Sequence, residues 1–280
     1  MIKNFKNRVA VITGAGSGIG RSLALQIADK GGKLAISDVN EAGLNETAAL
    51  LKQKGVEPHV QILDVADRNA MHAYADAVFK HFGEVHLVFN NAGVALGVTV
   101  EDMEYEDLDW LMAINFGGVV SGTKAFLPYL QQSDAGHIIN ISSLFGLVSM
   151  PTQSAYNAAK FAVRGFTESL RQELELSNSR VSCTCVHPGG IKTNIARNAR
   201  MRDVSEITGS SPERAIADFE RLFRTTADEA ATTILKGVIK NKRRVLIGND
   251  AKAIDAVQRL LPTSYQRIVV SGQRALRKYA

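Results

Sequence analysis

Four glycines, at positions 14, 16, 18 and 20, stand between a short β-branched run and a stretch with helical apolar spacing. Arg8 to Thr13 suits a buried parallel strand. Ile19, Leu23 and Ile27 then repeat at helical spacing up to a stop at Gly31-Gly32. A strand, a glycine turn and a helix N-terminus leave free backbone N–H groups together, where the helix dipole favours a phosphate. The ending Gly-Lys-Ser/Thr of a mononucleotide loop is missing, since Arg21-Ser22 follows Gly20. The dinucleotide pattern G-x-G-x-x-G also fails, because Ile19 stands where its third glycine would fall. What stands is Thr13-Gly14-x-x-x-Gly18-x-Gly20. Alone, such a turn also serves as a plain strand–helix connection.

The second apolar run, Lys33 to Ser37, ends at Asp38. A carboxylate at this distance from the turn can accept hydrogen bonds from both ribose hydroxyls of a dinucleotide. It would repel a 2′-phosphate, and neither Ser17 nor Val39 supplies a cation to offset that. The expectation is NAD rather than NADP. The plainer reading of Asp38 is a residue that starts a loop.

The chain has 280 residues, of which 45% are hydrophobic, enough for one substantial core. Strand-like runs fall near 8–13, 33–37, 57–63, 85–89, 136–142, 180–186 and 244–248. Helical patterns fall near 19–30, 41–54, 67–82, 104–132, 154–177, 212–224 and 227–240. This alternation predicts an α/β fold over residues 1–280, a doubly wound, mostly parallel seven-stranded sheet with helices on both faces. No linker divides it.

Tyr156 and Lys160 in SAYNAAK lie one helical turn apart, thirteen residues after Ser143. An ammonium beside a phenol lowers the phenol's pKa, which suits proton exchange with an alcohol or ketone oxygen. Ser143 is the natural second hydroxyl for that oxygen, with Ser142 as its neighbour. In most chains such a Tyr–Lys pair is only a solvated helix face.

Together these motifs resemble the short-chain dehydrogenase/reductase family over about residues 5–248. TGAGSGIG, with Gly14, Ser17, Gly18, Ile19 and Gly20, is similar to that family's cofactor turn. Asp64 and Val65 in LDVAD resemble its adenine contact. Asn91, Ala92 and Gly93 in NNAG resemble the segment that supports the sheet and borders the cofactor. Pro188, Gly189, Ile191 and Thr193 in HPGGIKT resemble the segment that closes over the nicotinamide. Asn115, Ser143, Tyr156 and Lys160 match its catalytic tetrad. The resemblance implies a Rossmann-type sheet of order 3-2-1-4-5-6-7. It implies Tyr156 as acid/base, and Lys160 as holder of the nicotinamide ribose and tuner of the phenol. Ser143 would hold the substrate oxygen, and Asn115 would serve a water relay through its backbone carbonyl. The expected activity is NAD(P)-dependent interconversion of an alcohol and a ketone or aldehyde. A catalytically idle nucleotide-binding scaffold is the competing expectation. A homodimer through the helices near 104–132 and 154–177 is implied, with a tetramer as the alternative.

Two stretches depart from the family pattern. Residues 191–226, the expected substrate lid, are long. Ser211, Pro212 and Glu213 signal a helix start there, and Ile216, Phe219, Leu222 and Phe223 form an apolar stripe. That stripe either packs on the sheet edge or roofs an apolar pocket for a lipid-, steroid- or medium-chain-like substrate. Thr226 and Glu229 read as a capping box. The second departure is residues 249–280, a basic amphipathic extension. From Lys236 onward there are eleven Lys/Arg against two Asp/Glu, whereas the whole chain carries +5. Two amphipathic helices broken near Pro262 are expected, resting on an anionic membrane, on a partner subunit or the substrate mouth, or in solvent.

Cys183 and Cys185 point to one packed face of a strand, and their scarcity fits a reducing, cytoplasmic setting. The polar Met1–Asn7 reads as no secretory signal. The six histidines lack metal spacing, so no metal is expected. The acidic body and the lack of a recognition motif argue against a nucleic-acid partner.

Overall fold

A computed structural model describes residues 1–209, 211, 214 and 223–277. The central strands are β1 (Val9–Thr13), β2 (Lys33–Asp38), β3 (His59–Ile62), β4 (Leu87–Asn90), β5 (Gly136–Ile141), β6 (Val181–Pro188) and β7 (Arg244–Ile247). They form one sheet of order β3-β2-β1-β4-β5-β6-β7, and all six pairings are parallel. The expected order and strand count both hold.

Side chains alternate across the sheet as a strand requires. Ala10, Ile12, Leu87 and Phe89 enter one core layer with Leu23 and Ile27 of α1 (Gly18–Ala28), Leu44 and Leu51 of α2 (Glu41–Gln53), and Ile234 of α7 (Ala227–Ile239). Val11, Val88 and Ile138 enter the opposite layer. There they meet Met71 and Tyr74 of α3 (Arg68–Phe82), Phe126 of α5 (Gly118–Gln132) and Leu170 of α6 (Ser154–Leu176). Buried strand ends are tied by polar groups. Asn90 donates to Asn140 Oδ1 at 2.8 Å, and Asn140 donates to Thr167 Oγ1 at 2.9 Å, joining β4, β5 and α6.

The single helix expected near 104–132 is divided. An α-helix, α4 (Tyr105–Met112), passes through a π turn at Ala113–Gly117 before α5 begins. The cause is tertiary. Asn115 Oδ1 accepts from the Val94 amide at 2.8 Å, and its Nδ2 donates to the Val94 carbonyl at 2.9 Å. Widening the helix by one residue aligns that side chain with the loop, a device common at functional sites.

Thr226 and Glu229 form the expected capping box at the start of α7. The extension forms two helices, α8 (Asn249–Leu260) and α9 (Tyr265–Arg277), with Pro262 in the break. Ser211 Oγ accepts from the Arg214 amide, as an N-cap would. The rest of that expected helix, and most of its apolar stripe, lie outside the described residues.

Candidate active site

A cleft of about 1940 Å³ opens at the carboxyl ends of the strands. That is where parallel sheets of this kind bind ligands, and the volume is roughly twice the upper end for a single small ligand. One end is the glycine turn. Gly14 and Gly18 adopt φ of +66° and +50°, values that glycine takes without strain. Gly20 packs directly on the Gly14 carbonyl, so no side chain fits there. Ser17 makes no side-chain cap on α1, which leaves its first amides to the cleft. Arg21 braces the turn from behind. It donates to the Gly16 carbonyl at 2.5 Å and to Thr47 Oγ1 at 2.9 Å, and Thr47 donates to the Ala15 carbonyl. Asp38 stands at the end of β2, where its Oδ2 accepts from the Gly16 amide at 2.8 Å. Asp64 and Val65 border the same end.

The NNAG segment stitches β4 to the turn. Asn91 Nδ2 donates to the carbonyls of Thr13 and Gly14, and Thr13 Oγ1 accepts from the amides of Asn91 and Ala92. A Cβ added at Gly93 would sit 3.1 Å from Asn115 Oδ1 and 3.4 Å from Lys160 Nζ. These three groups therefore meet at one point in the cleft floor.

Tyr156 and Lys160 project from the first turns of α6, both buried. Lys160 Nζ donates to the Ile141 carbonyl at 3.1 Å and lies 5.5 Å from the centre of the Tyr156 ring. Burial draws the ammonium down to about 8. It pushes the phenol up to about 12, against a hydrogen bond from Ser143 that works to lower it. This corrects the expectation that the lysine makes the phenol acidic. Loss of solvation outweighs a cation that faces a backbone carbonyl rather than the phenol.

The two serines separate clearly. Ser143 borders the cleft, and its Oγ also accepts from the Phe145 amide at 3.1 Å. Ser142 is buried, and its hydroxyl donates to the Lys160 carbonyl at 2.8 Å. On the far wall stand Pro188, Gly189, Ile191 and Thr193. Thr193 reaches across to Gly18, where an added Cβ would lie 3.0 Å from its methyl carbon. Of the expected site residues, all but Gly20 and Asn115 border the cleft; those two lie beneath its lining.

Several contributors were not legible from spacing. Asn157 follows Tyr156 in the same motif. It donates to the carbonyls of Phe145 and Val148 and accepts from the Met150 amide, pinning the loop after Ser143. Asp250, at the start of α8, accepts from the Gly190 amide at 2.6 Å. The segment expected as a lid is anchored too. Arg200–Met201 pairs in parallel with Leu96–Gly97, Arg200 lies 3.6 Å over the Trp110 ring, and Arg202 forks onto Asp107 at 2.9 and 3.2 Å. Only the residue types were visible there, not their meeting. Among the described residues, no group of three His, Cys, Asp or Glu side chains could hold a metal, and no helix is long and apolar enough to cross a membrane.

A profile of the short chain dehydrogenase family matches residues 8–203. The chain is 51% identical over 273 residues to a putative oxidoreductase, SadH, of Mycobacterium tuberculosis, covering 97% of each. It is 33% identical over 278 residues to dehydrogenase/reductase SDR family member 7B of Mus musculus, covering 98% of this chain and 83% of the relative. Among solved structures, a short-chain dehydrogenase/reductase of Burkholderia phymatum in complex with NAD superposes with a TM-score of 0.86 at 33% identity, covering 93% of this chain and 95% of the other.

Proposed function

The chain belongs to the short-chain dehydrogenase family and is an oxidoreductase of that family; from that premise we propose that it interconverts an alcohol and a ketone or aldehyde using NAD(H). The observation that carries the reading is that the buried Tyr156 and Lys160, with the part-exposed Ser143, line the same cleft that holds the glycine turn and Asp38. The uncapped first amides of α1 suit a diphosphate, and the Asp38 carboxylate suits ribose hydroxyls. The NAD complex of the Burkholderia phymatum protein supports the same cofactor here. Bound NAD supplies the carbon that accepts or donates hydride.

The chain's own residues handle the proton and the charge. A phenol held near 12 keeps its proton, so Tyr156 is a donor toward a ketone oxygen. In the reverse direction the phenol first gives its proton up to solvent, and the resulting phenolate oxygen takes the alcohol proton. The Ser143 hydroxyl donates to the same substrate oxygen as charge develops on it. Lys160, charged below about 8, would hold the ribose and, on turning from the Ile141 carbonyl, would steady the anionic phenol oxygen. Asn115 fixes the floor under Gly93 and Lys160. Pro188, Gly189 and Thr193 would keep the nicotinamide side of the cofactor away from water.

Val94, Leu144, Phe145, Val148, Ile195 and Phe223 border the substrate end, which supports a mainly apolar substrate. The reading includes a dimer through α5 and α6, on which Phe161 keeps 36% exposure. It also includes peripheral contact with an anionic lipid surface, supported by Leu260 and Ile268 at 79% and 57% exposure beside Arg259 and Arg267.

The test is nicotinamide absorbance with a panel of secondary alcohols and ketones, using both cofactors. Turnover should favour NAD, and Asp38→Ala should narrow that preference. Tyr156→Phe should lower kcat at least ~10²-fold with cofactor affinity kept. Lack of turnover of the whole panel, in both directions and with both cofactors, would refute the reading.

A further inference from the structure

The basic extension has an inner face that the reading above leaves unused. The loop running from Leu144 to Met150 follows Ser143 and forms part of the cleft wall. Asn157 holds it from one side. From the other side comes Tyr265, the first residue of α9. Its ring is 8% exposed and packs with Leu144 and Val148, against which Phe145, Ile254 and Val269 also rest. Its hydroxyl accepts a hydrogen bond from the Ser149 amide at 3.1 Å.

The loop so held is in direct contact with the candidate chemistry. The Phe145 ring meets the Tyr156 ring edge-on, with centroids 6.1 Å apart. Leu144, Phe145 and Val148 line the cleft, as do Ile254 of α8 and Gln273 of α9. Tyr265, Val269 and Gln273 recur every four residues, so they share the inward face of α9. The two helices are therefore a wall of the substrate chamber, and Tyr265 is the post behind it.

We infer that Tyr265 is a positioning residue that sets how long an apolar substrate the chamber admits, by fixing the Leu144–Met150 loop against Ile254. The inference rests on the proposed alcohol/ketone activity. A buried ring behind a wall limits depth because a packed interior yields little. Removing it frees volume that additional methylenes can occupy, and discrimination by a methylene in an apolar pocket runs to about 10-fold or more. The recognised class is an unbranched or polycyclic apolar alcohol or ketone, whose length the wall measures.

The experiment compares kcat/KM for 2-butanol and 2-decanol in the wild-type enzyme, Tyr265→Ala, Tyr265→Phe and Ile254→Phe, all with NAD. Tyr265→Ala should raise the decanol-to-butanol ratio at least tenfold. Tyr265→Phe keeps the ring and should stay within about twofold of wild type, while Ile254→Phe, which thickens the wall, should lower the ratio. A ratio unmoved in both Tyr265→Ala and Ile254→Phe would overturn the inference, even if melting temperature falls, since a purely structural role scales both substrates alike. If Tyr265→Ala does not fold, Ile254→Phe decides alone. Should the wild-type enzyme turn over neither alcohol, the proposed activity is judged by its own panel and the wall by binding. Binding of dansyl-labelled butyl and dodecyl alcohols to the NAD-loaded proteins then tests the wall by itself. A dodecyl preference that grows in Tyr265→Ala or shrinks in Ile254→Phe supports the wall, and an unchanged preference in both removes it.

Discussion

Ser142 and Ser143 leave β5 side by side, yet their hydroxyls meet different partners. Ser143 faces the cleft and the phenol, while Ser142 is spent on the Lys160 carbonyl. Ser143→Ala should therefore cost about 10²-fold in kcat, the scale of one lost donor to a developing oxyanion, with melting temperature nearly kept. Ser142→Ala should do the reverse, costing about 1 kcal/mol of stability with a smaller kinetic effect. Kinetics and thermal melts on the pair decide it, and an equal loss of kcat in both would mean that the hydroxyls are not divided in this way. Two buried histidines add a pH dependence. Burial lowers His137 to about 3 and His187 to about 4 from the ordinary 6.5. Between pH 6.5 and 4 the unfolded chain takes up protons that the folded chain refuses. Their contribution is complete above pH 6.5 and is lost as pH falls below it, by up to about 1.4 kcal/mol per pH unit for each histidine. Urea titrations at pH 7 and pH 5 should show this slope, and His187→Gln should flatten it. The grouping of Ser143, Tyr156 and Lys160 was legible because its spacing is local to one helix and one strand end, whereas Asn115, in the π turn, entered only through the family resemblance. The phenol's proton affinity was not legible, since it depends on burial that no spacing reveals.

At the scale of elements, the periodicities of 2 and 3.6 located the sheet and most helices because each strand and helix buries one regular set of side chains. They failed at Asn115, where a contact with Val94 across the cleft floor decides the local winding. The segment after Thr193 is a second case. Its hold on the body is a clamp between residues far apart in sequence, in which Asp107, 8% exposed, meets Arg202 while Trp110 carries Arg200. Asp107→Asn removes the charge and leaves the shape. The apparent KM for the alcohol should then rise roughly three- to tenfold, the range of one charge-assisted hydrogen bond. Hydrogen exchange across 200–208 should quicken with it. Unchanged exchange would mean that Asp107 does not anchor this segment.

The whole molecule carries its excess positive charge at one end. Part of that charge is used internally. Arg244 binds Glu168 at 2.6 Å and Asp255 at 3.4 Å, and Arg259 binds Asp255 at 2.9 Å. Arg267 and Arg274 remain on the exposed side with Leu260, Leu261 and Ile268. The sequence left three destinations open for this extension, and its inner face rests against the cleft wall. Contacts such as Tyr265 with Ser149 span 116 residues, too far for any periodicity to register. Full-length protein should co-sediment with vesicles of about 30% anionic lipid and be released by salt, the behaviour of surface-bound basic helices. Leu260→Asp with Ile268→Asp should abolish this without touching the inner face. Equal sedimentation of that double variant would remove the membrane contact from the proposed function.

The Asp250 carboxylate leaves no room for even a methyl group at Gly189. Two positions on opposite sides of β7 therefore constrain each other. A graft that exchanges this chain's final helices for a relative's must carry the loop after β6 with them. A tail lacking an acid at 250 abandons the Gly190 amide, and a loop bearing a side chain at 189 evicts the acid. The loop after β6 and the start of α8 can be exchanged only together.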